Sequence, residues 1–112
     1  MALLSKASVL SAEDFRYAIV PCPEWGGDMR VRGLTAAEQA NIQKRVSEKK
    51  TDDLAMVLVL MACVDENGER FFEPSDRDAL KSKPYAVLDR LSKKILELSG
   101  NGTDGIETAE KN

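Results

Sequence analysis

Residues 54–64 read Leu-Ala-Met-Val-Leu-Val-Leu-Met-Ala-Cys-Val without one polar side chain, and a stretch of that kind has to be covered on nearly all sides. Asp52 and Asp53 stand before it and Asp65 and Glu66 after it. It therefore falls well short of the roughly 20 residues that span a bilayer and reads as no membrane segment. Its valines suit a strand, but its length and its leucine, methionine and alanine content favour a helix, expected over 53–65 and buried on most sides. The rest of the chain is expected to wrap around it. With 112 residues, there is room for one folded domain whose core needs neither disulfide nor metal.

Upstream, Phe15, Tyr17 and Ile19 alternate with Arg16 and Ala18, the pattern of a strand with one packed and one solvated face. Pro21-Cys-Pro-Glu-Trp-Gly-Gly-Asp28 breaks it with two prolines and two adjacent glycines. Met29 and Val31 then alternate with Arg30 and Arg32. A β-hairpin with a wide tip is expected over 15–33, and Ser11 is placed to cap a single helical turn ahead of it.

Thr35-Ala-Ala-Glu38 is a capping box that starts a surface helix over 35–50. Asn67-Gly68 supplies positive-φ positions for a tight reversal, with Phe71 and Phe72 beyond it. Pro74 and Ser75 begin a short helix over 75–82, and Pro84 opens another over 84–99. In that last helix Leu88, Leu91, Ile95 and Leu98 recur at spacings of three and four. Asp89 to Lys93 and Lys93 to Glu97 are i,i+4 pairs on the far side. The apolar stripe serves packing against the central run or self-association. Gly100 is a left-handed cap, and 101–112, with Ile106 isolated among Gly, Thr, Asp and Glu, is expected to be a flexible acidic tail. The fold class is α+β, mainly helical: an N-terminal hairpin packed on a bundle of three to four helices, with 1–100 as one domain.

The chain carries 16 Lys and Arg against 19 Asp and Glu, two cysteines and no histidine. Without imidazole there is no Ser-His-Asp or Cys-His couple, and two cysteines are too few for a four-ligand zinc site. The acidic loop from Asp65 has Arg70 and Asp76 where a calcium loop needs glycine and glutamate. Gly26-Gly27 lacks the further glycines and lysine of a phosphate loop. No catalytic, cofactor-binding or metal-binding residue is assigned, no enzyme activity is expected, and the slightly acidic balance argues against nucleic acid as a partner. Nothing at the start resembles a secretion signal. A reducing compartment is therefore expected, with Cys22 and Cys63 as free thiols, Cys63 in the core, and a disulfide between them only if the fold brings them together.

What remains are surfaces. Trp25, alone in a Pro/Gly-rich tip, either tucks back onto the sheet or stays outside as an anchor for a partner. Arg16, Arg30 and Arg32 share the outer face of the hairpin if the register allows, either complementing an acidic partner or protecting a sheet edge.

The string Pro23-Glu-Trp-Gly-Gly-Asp-Met-Arg-Val-Arg-Gly-Leu-Thr-Ala-Ala-Glu38 resembles the hairpin and first helix of tail assembly chaperones from long-tailed, siphovirus-like bacteriophages. The similarity extends to the apolar and acidic opening at 2–14, the Val-Asp-Glu-Asn-Gly-Glu turn at 64–69 and the Ala-Glu-Lys-Asn ending at 109–112. The resemblance implies a non-catalytic assembly factor of a phage or prophage. Such a factor works in the bacterial host cytoplasm and is not in the mature virion. It binds the tape measure protein and helps recruit tail tube protein, and a frameshifted longer form of the chain and self-association are part of the family picture. A chaperone of this kind needs adaptable apolar surface, which Trp25, Met29, Met56, Met61, Phe71 and Phe72 offer. The candidate partner-binding residues are Trp25, Met29, Arg30, Arg32, Phe71 and Phe72. A minor structural component of the tail or head–tail joint is the alternative.

Overall fold

A computed structural model describes residues 3–100 of the chain; the acidic tail expected at 101–112 lies outside the described residues. The elements are α1 (Lys6–Ser11), β1 (Tyr17–Cys22), β2 (Gly27–Arg32), α2 (Ala36–Ser47), α3 (Leu54–Ala62), β3 (Cys63–Val64), α4 (Arg77–Lys81) and α5 (Tyr85–Leu98). Single 3-10 turns lie at Pro23–Trp25 and Pro74–Asp76. The fold is α+β and mainly helical, with one antiparallel sheet in the order β1-β2-β3 laid against the helices.

The apolar run forms α3 and buries Met56, Val57, Leu58, Val59 and Ala62. It leaves the helix earlier than expected: Cys63 has extended backbone, and Cys63–Val64 pairs with Val31 and Arg30 of β2. The β preference of Cys-Val prevails where β2 offers an open edge. Packed on α3 is α5, whose stripe of Leu88, Leu91 and Ile95 is buried. Lys93 pairs with Asp89 at 3.0 Å, but Glu97 takes Lys94 instead of Lys93, at 3.2 Å. Gly100 closes the helix in the left-handed region at φ 83°, its N–H donating to the Glu97 carbonyl.

The alternation in β1 is present, but the faces are the reverse of what the aromatic residues suggest. Val20 and Cys22 are buried and Ala18 is partly buried, while Tyr17 and Ile19 point to solvent. Register decides this. Met29 and Val31 of β2 face the core, and their direct partners across the ladder are Val20 and Ala18. The outer face then carries Tyr17 opposite Arg32 and Ile19 opposite Arg30. Arg16 shares the parity of Ala18, so it does not join the other two arginines.

Because Gly33 N–H donates to the Arg16 carbonyl, the ladder alternates so that Ala18, Val20 and Cys22 bond to β2 and Tyr17, Ile19 and Pro21 turn their backbone groups to the free edge. Pro21 has no N–H to offer there, and its carbonyl accepts from Arg90 at 3.1 Å. One end of the exposed edge is thus closed to strand addition.

Two local differences complete the fold. The first helix starts at Ser5, whose side chain forms a capping box with Ser8, and it ends at Ser11 where a helical turn was expected to begin; none of its residues is buried. In the reversal after β3, only Gly68 has positive φ, at 81°. The Asp65 carboxylate accepts the Asn67 and Glu69 N–H groups at 2.8 and 3.0 Å and takes over the work expected of a left-handed Asn67.

Candidate functional site

Between the hairpin tip and the segment leading into α4 lies an open groove of about 480 Å³, within the roughly 300–1,000 Å³ typical of ligand clefts. Trp25 and Met29 line its hairpin wall; Phe71, Phe72 and Leu80 line the other. Four of the six residues singled out from the sequence therefore meet in one place. Met29 and Leu80 are buried, Phe72 is partly buried, and Phe71 is 54% exposed. The two phenylalanine rings meet edge-on with centroids 4.9 Å apart, and the Phe71 N–H donates to the Cys63 carbonyl at 2.9 Å, which ties this wall to the sheet.

The hairpin wall is fixed from outside. Pro23–Trp25 makes one 3-10 turn, ended by Gly26 at φ 78°, whose N–H donates to the Pro23 carbonyl at 3.1 Å. Arg90 of α5 grips Glu24 with both prongs of its guanidinium, at 2.9 and 2.6 Å. Those hydrogen bonds hold the Glu24 carboxyl at about 2, well below its usual range. Trp25 takes neither of its two expected roles outright: it is half-buried, packs against the core and lines the groove. Its indole Nε1–H is buried and has no hydrogen-bond acceptor.

Arg30 and Arg32 stand on the opposite face of the sheet, and both are engaged within the chain. The Arg30 guanidinium lies 4.0 Å from the centre of the Tyr17 ring and donates to the Glu66 carbonyl at 2.9 Å. Arg32, 7% exposed, pairs with Glu38 and donates to the carbonyls of Gly33 and Met61 at 2.8 and 3.0 Å. Burial works to raise the Glu38 carboxyl, but hydrogen bonds from Arg32, Thr35 and Arg70 together with the Arg32 charge outweigh it and bring it down to about 2.

Both cysteines are free and buried. Burial, with Cys22 nearby, pushes the Cys63 thiol up to about 12. Burial also raises the Cys22 thiol, although Arg90 opposes it. Among the described residues no group of three or more Cys, Asp or Glu side chains is placed to hold a metal ion, and no helix is long and apolar enough to cross a membrane.

Leu80, Asp28 and Lys83 also line the groove and were not apparent from the sequence. Leu80 is one apolar residue in a five-residue helix, and Asp28 and Lys83 look like ordinary solvated charges. Only the tertiary fold brings residues 28, 71 and 83 to one cleft.

No protein-family model and no curated protein sequence matches this chain. Among solved structures it is similar to the bacteriophage HK97 tail assembly chaperone, with a TM-score of 0.61 and 22% sequence identity, over 82% of this chain and 90% of that one. The chain shares the fold of that chaperone over nearly the whole length of both.

Proposed function

We propose that this protein is a non-catalytic tail assembly chaperone of a long-tailed phage or prophage. It binds the tape measure protein in the host cytoplasm, helps recruit tail tube subunits around it, and leaves before the virion is complete. The observation that carries this reading is the likeness to the HK97 chaperone over 82% of this chain and 90% of that one. The surface chemistry supports it. A hairpin tip held by Arg90 and an open apolar groove offer contact area to a client. Self-association and a longer frameshifted form belong to the same reading.

Co-expression tests it. The tape measure protein of the same phage should stay soluble and co-purify with this chain, and should aggregate when expressed alone. A tape measure protein equally soluble with and without the chain, and never co-purifying with it, would overturn the reading.

A further inference from the structure

We infer that the chain's own segment 101–112 docks as a short extra strand on the free edge of β1, with Ile106 beside Ile19 and Glu107 turned toward Lys93 and Lys94 of α5. Docked there, it closes to other chains an edge that Pro21 and Arg90 close at one end alone.

The edge is open. By the register with β2, the N–H and C=O groups of Tyr17 and Ile19 point away from the sheet, and none of them has a hydrogen-bond partner among the described residues. Both residues are exposed, and a row of this kind is a template for one more strand. Beside it lies a cleft of about 400 Å³, with Ile19, Val20 and Pro21 on one side and Arg90, Lys93, Lys94 and Glu97 of α5 on the other. A strand added to β1 rests against that stripe of α5.

The tether selects the occupant. At one end of β1, Arg90 holds the Pro21 carbonyl at 3.1 Å. At the other, Gly33 donates its N–H to the Arg16 carbonyl at 3.0 Å, and the adjoining Leu34 N–H donates to the Ser99 hydroxyl at 2.8 Å. Helix α5 thus runs back along β1 and delivers the chain, at Gly100, to the start of the edge. At about 3.3 Å per residue, 101–103 cover the step to the edge and 104–108 match the length from Tyr17 to Pro21. A segment tethered so close has an effective concentration of roughly millimolar, far above that of a free peptide or a second copy. The segment's chemistry fits as well. Strand alternation puts Ile106, its one large apolar residue, and Glu107 on opposite faces. The first meets Ile19, which is 59% exposed. The second meets Lys93 and Lys94, whose pairs with Asp89 and Glu97 lie on the helix surface and rearrange at little cost. Asp104, Glu107 and Glu110 stand against Lys111 alone in the segment, and Arg16, exposed and unpaired among the described residues, adds positive charge where it enters the edge.

Amide hydrogen exchange reads the edge directly. The Tyr17 and Ile19 N–H groups face it, whereas those of Ala18 and Val20 bond to β2 and serve as the internal reference for an intact sheet. In the full chain, Tyr17 and Ile19 should exchange at least about tenfold more slowly than in a chain ended at Gly100. Ile106→Asp in the full-length chain should lose most of that protection, with Ala18 and Val20 unchanged in all three proteins. Equal exchange at Tyr17 and Ile19 in the full and shortened chains overturns the proposal. Where that shared exchange is slow and slows further as protein concentration rises, the edge belongs to a second copy instead. Full protection in Ile106→Asp would contradict docking through Ile106.

Discussion

Arg32 and Glu38, six positions apart in the sequence, close a two-pronged ion pair at 2.8 and 3.0 Å, with side chains only 9% and 11% exposed. The contact turns the chain from β2 into α2. Glu38 also caps that helix through the Thr35 N–H at 2.9 Å and accepts from Arg70 at 3.2 Å, so one carboxylate joins the sheet, the first long helix and the reversal after β3.

Glu38 should consequently govern the acid limb of stability. Its carboxyl sits at about 2 in the folded chain against a usual 4.5. Its contribution is therefore fully present above about pH 4.5 and is lost as the pH falls from there to about 2. Glu38→Gln should cost about 2–3 kcal/mol at pH 7, because it leaves Arg32 buried without its counter-charge. The difference from the parent chain should shrink steadily below pH 4.5. Denaturant titrations at several pH values measure it, and a constant difference down to pH 2 would contradict the assignment.

The grip of Arg90 on Glu24 should matter for order more than for stability. Both side chains are more than a third exposed, and exposed ion pairs contribute little to the folding equilibrium. Arg90→Ala should leave the melting temperature nearly unchanged while amide exchange at Gly26, Gly27 and Asp28 speeds up. Unaltered exchange at the tip would show that the 3-10 turn holds itself.

At Gly33 the backbone rests on the end of α5. A Cβ there would stand 3.0 Å from the Leu98 carbonyl oxygen, and the neighbouring Leu34 N–H donates to the Ser99 hydroxyl at 2.8 Å. Since the obstacle is main chain, Gly33→Ala should destabilise the domain by about 1–3 kcal/mol. A melting temperature equal to that of the parent would mean that α5 shifts freely.

Trp25 and Phe71 should separate packing from binding. Trp25 packs on the core, so Trp25→Ala should lower stability by about 2–3 kcal/mol as well as weaken client binding. Phe71 is half exposed, and Phe71→Ala should cost less than about 1 kcal/mol of stability while reducing affinity for the tape measure protein several-fold. Parallel melts and binding titrations on both variants check this. Unimpaired binding by Phe71→Ala would remove the α4 wall from the interface.

Much of the helical part is legible in the sequence because its signals are local. Thr35 and Glu38 mark a capping box, 54–64 cannot be exposed, and Leu88, Leu91 and Ile95 recur at helical spacing. The facing of β1 is not legible. Tyr17 and Ile19 on one side and Val20 and Cys22 on the other are all apolar enough to be buried, and only pairing with Met29 and Val31 chooses between them. The third strand is two residues long at the end of a helix, and neither length nor periodicity announces it. The groove was half visible: its aromatic and methionine residues stand out by type, whereas Asp28, Leu80 and Lys83 gain their meaning from positions that only the packed fold brings together.

The central claim is that the chain assists assembly and then departs, and the direct measurement is quantitative mass spectrometry of purified virions against the lysate of the cells that made them. The account predicts peptides of this chain in abundance beside the tape measure protein in the lysate and none in the virions, where tape measure and tail tube proteins remain. Stoichiometric recovery of the chain from finished virions would contradict it and identify the protein as a structural part of the tail.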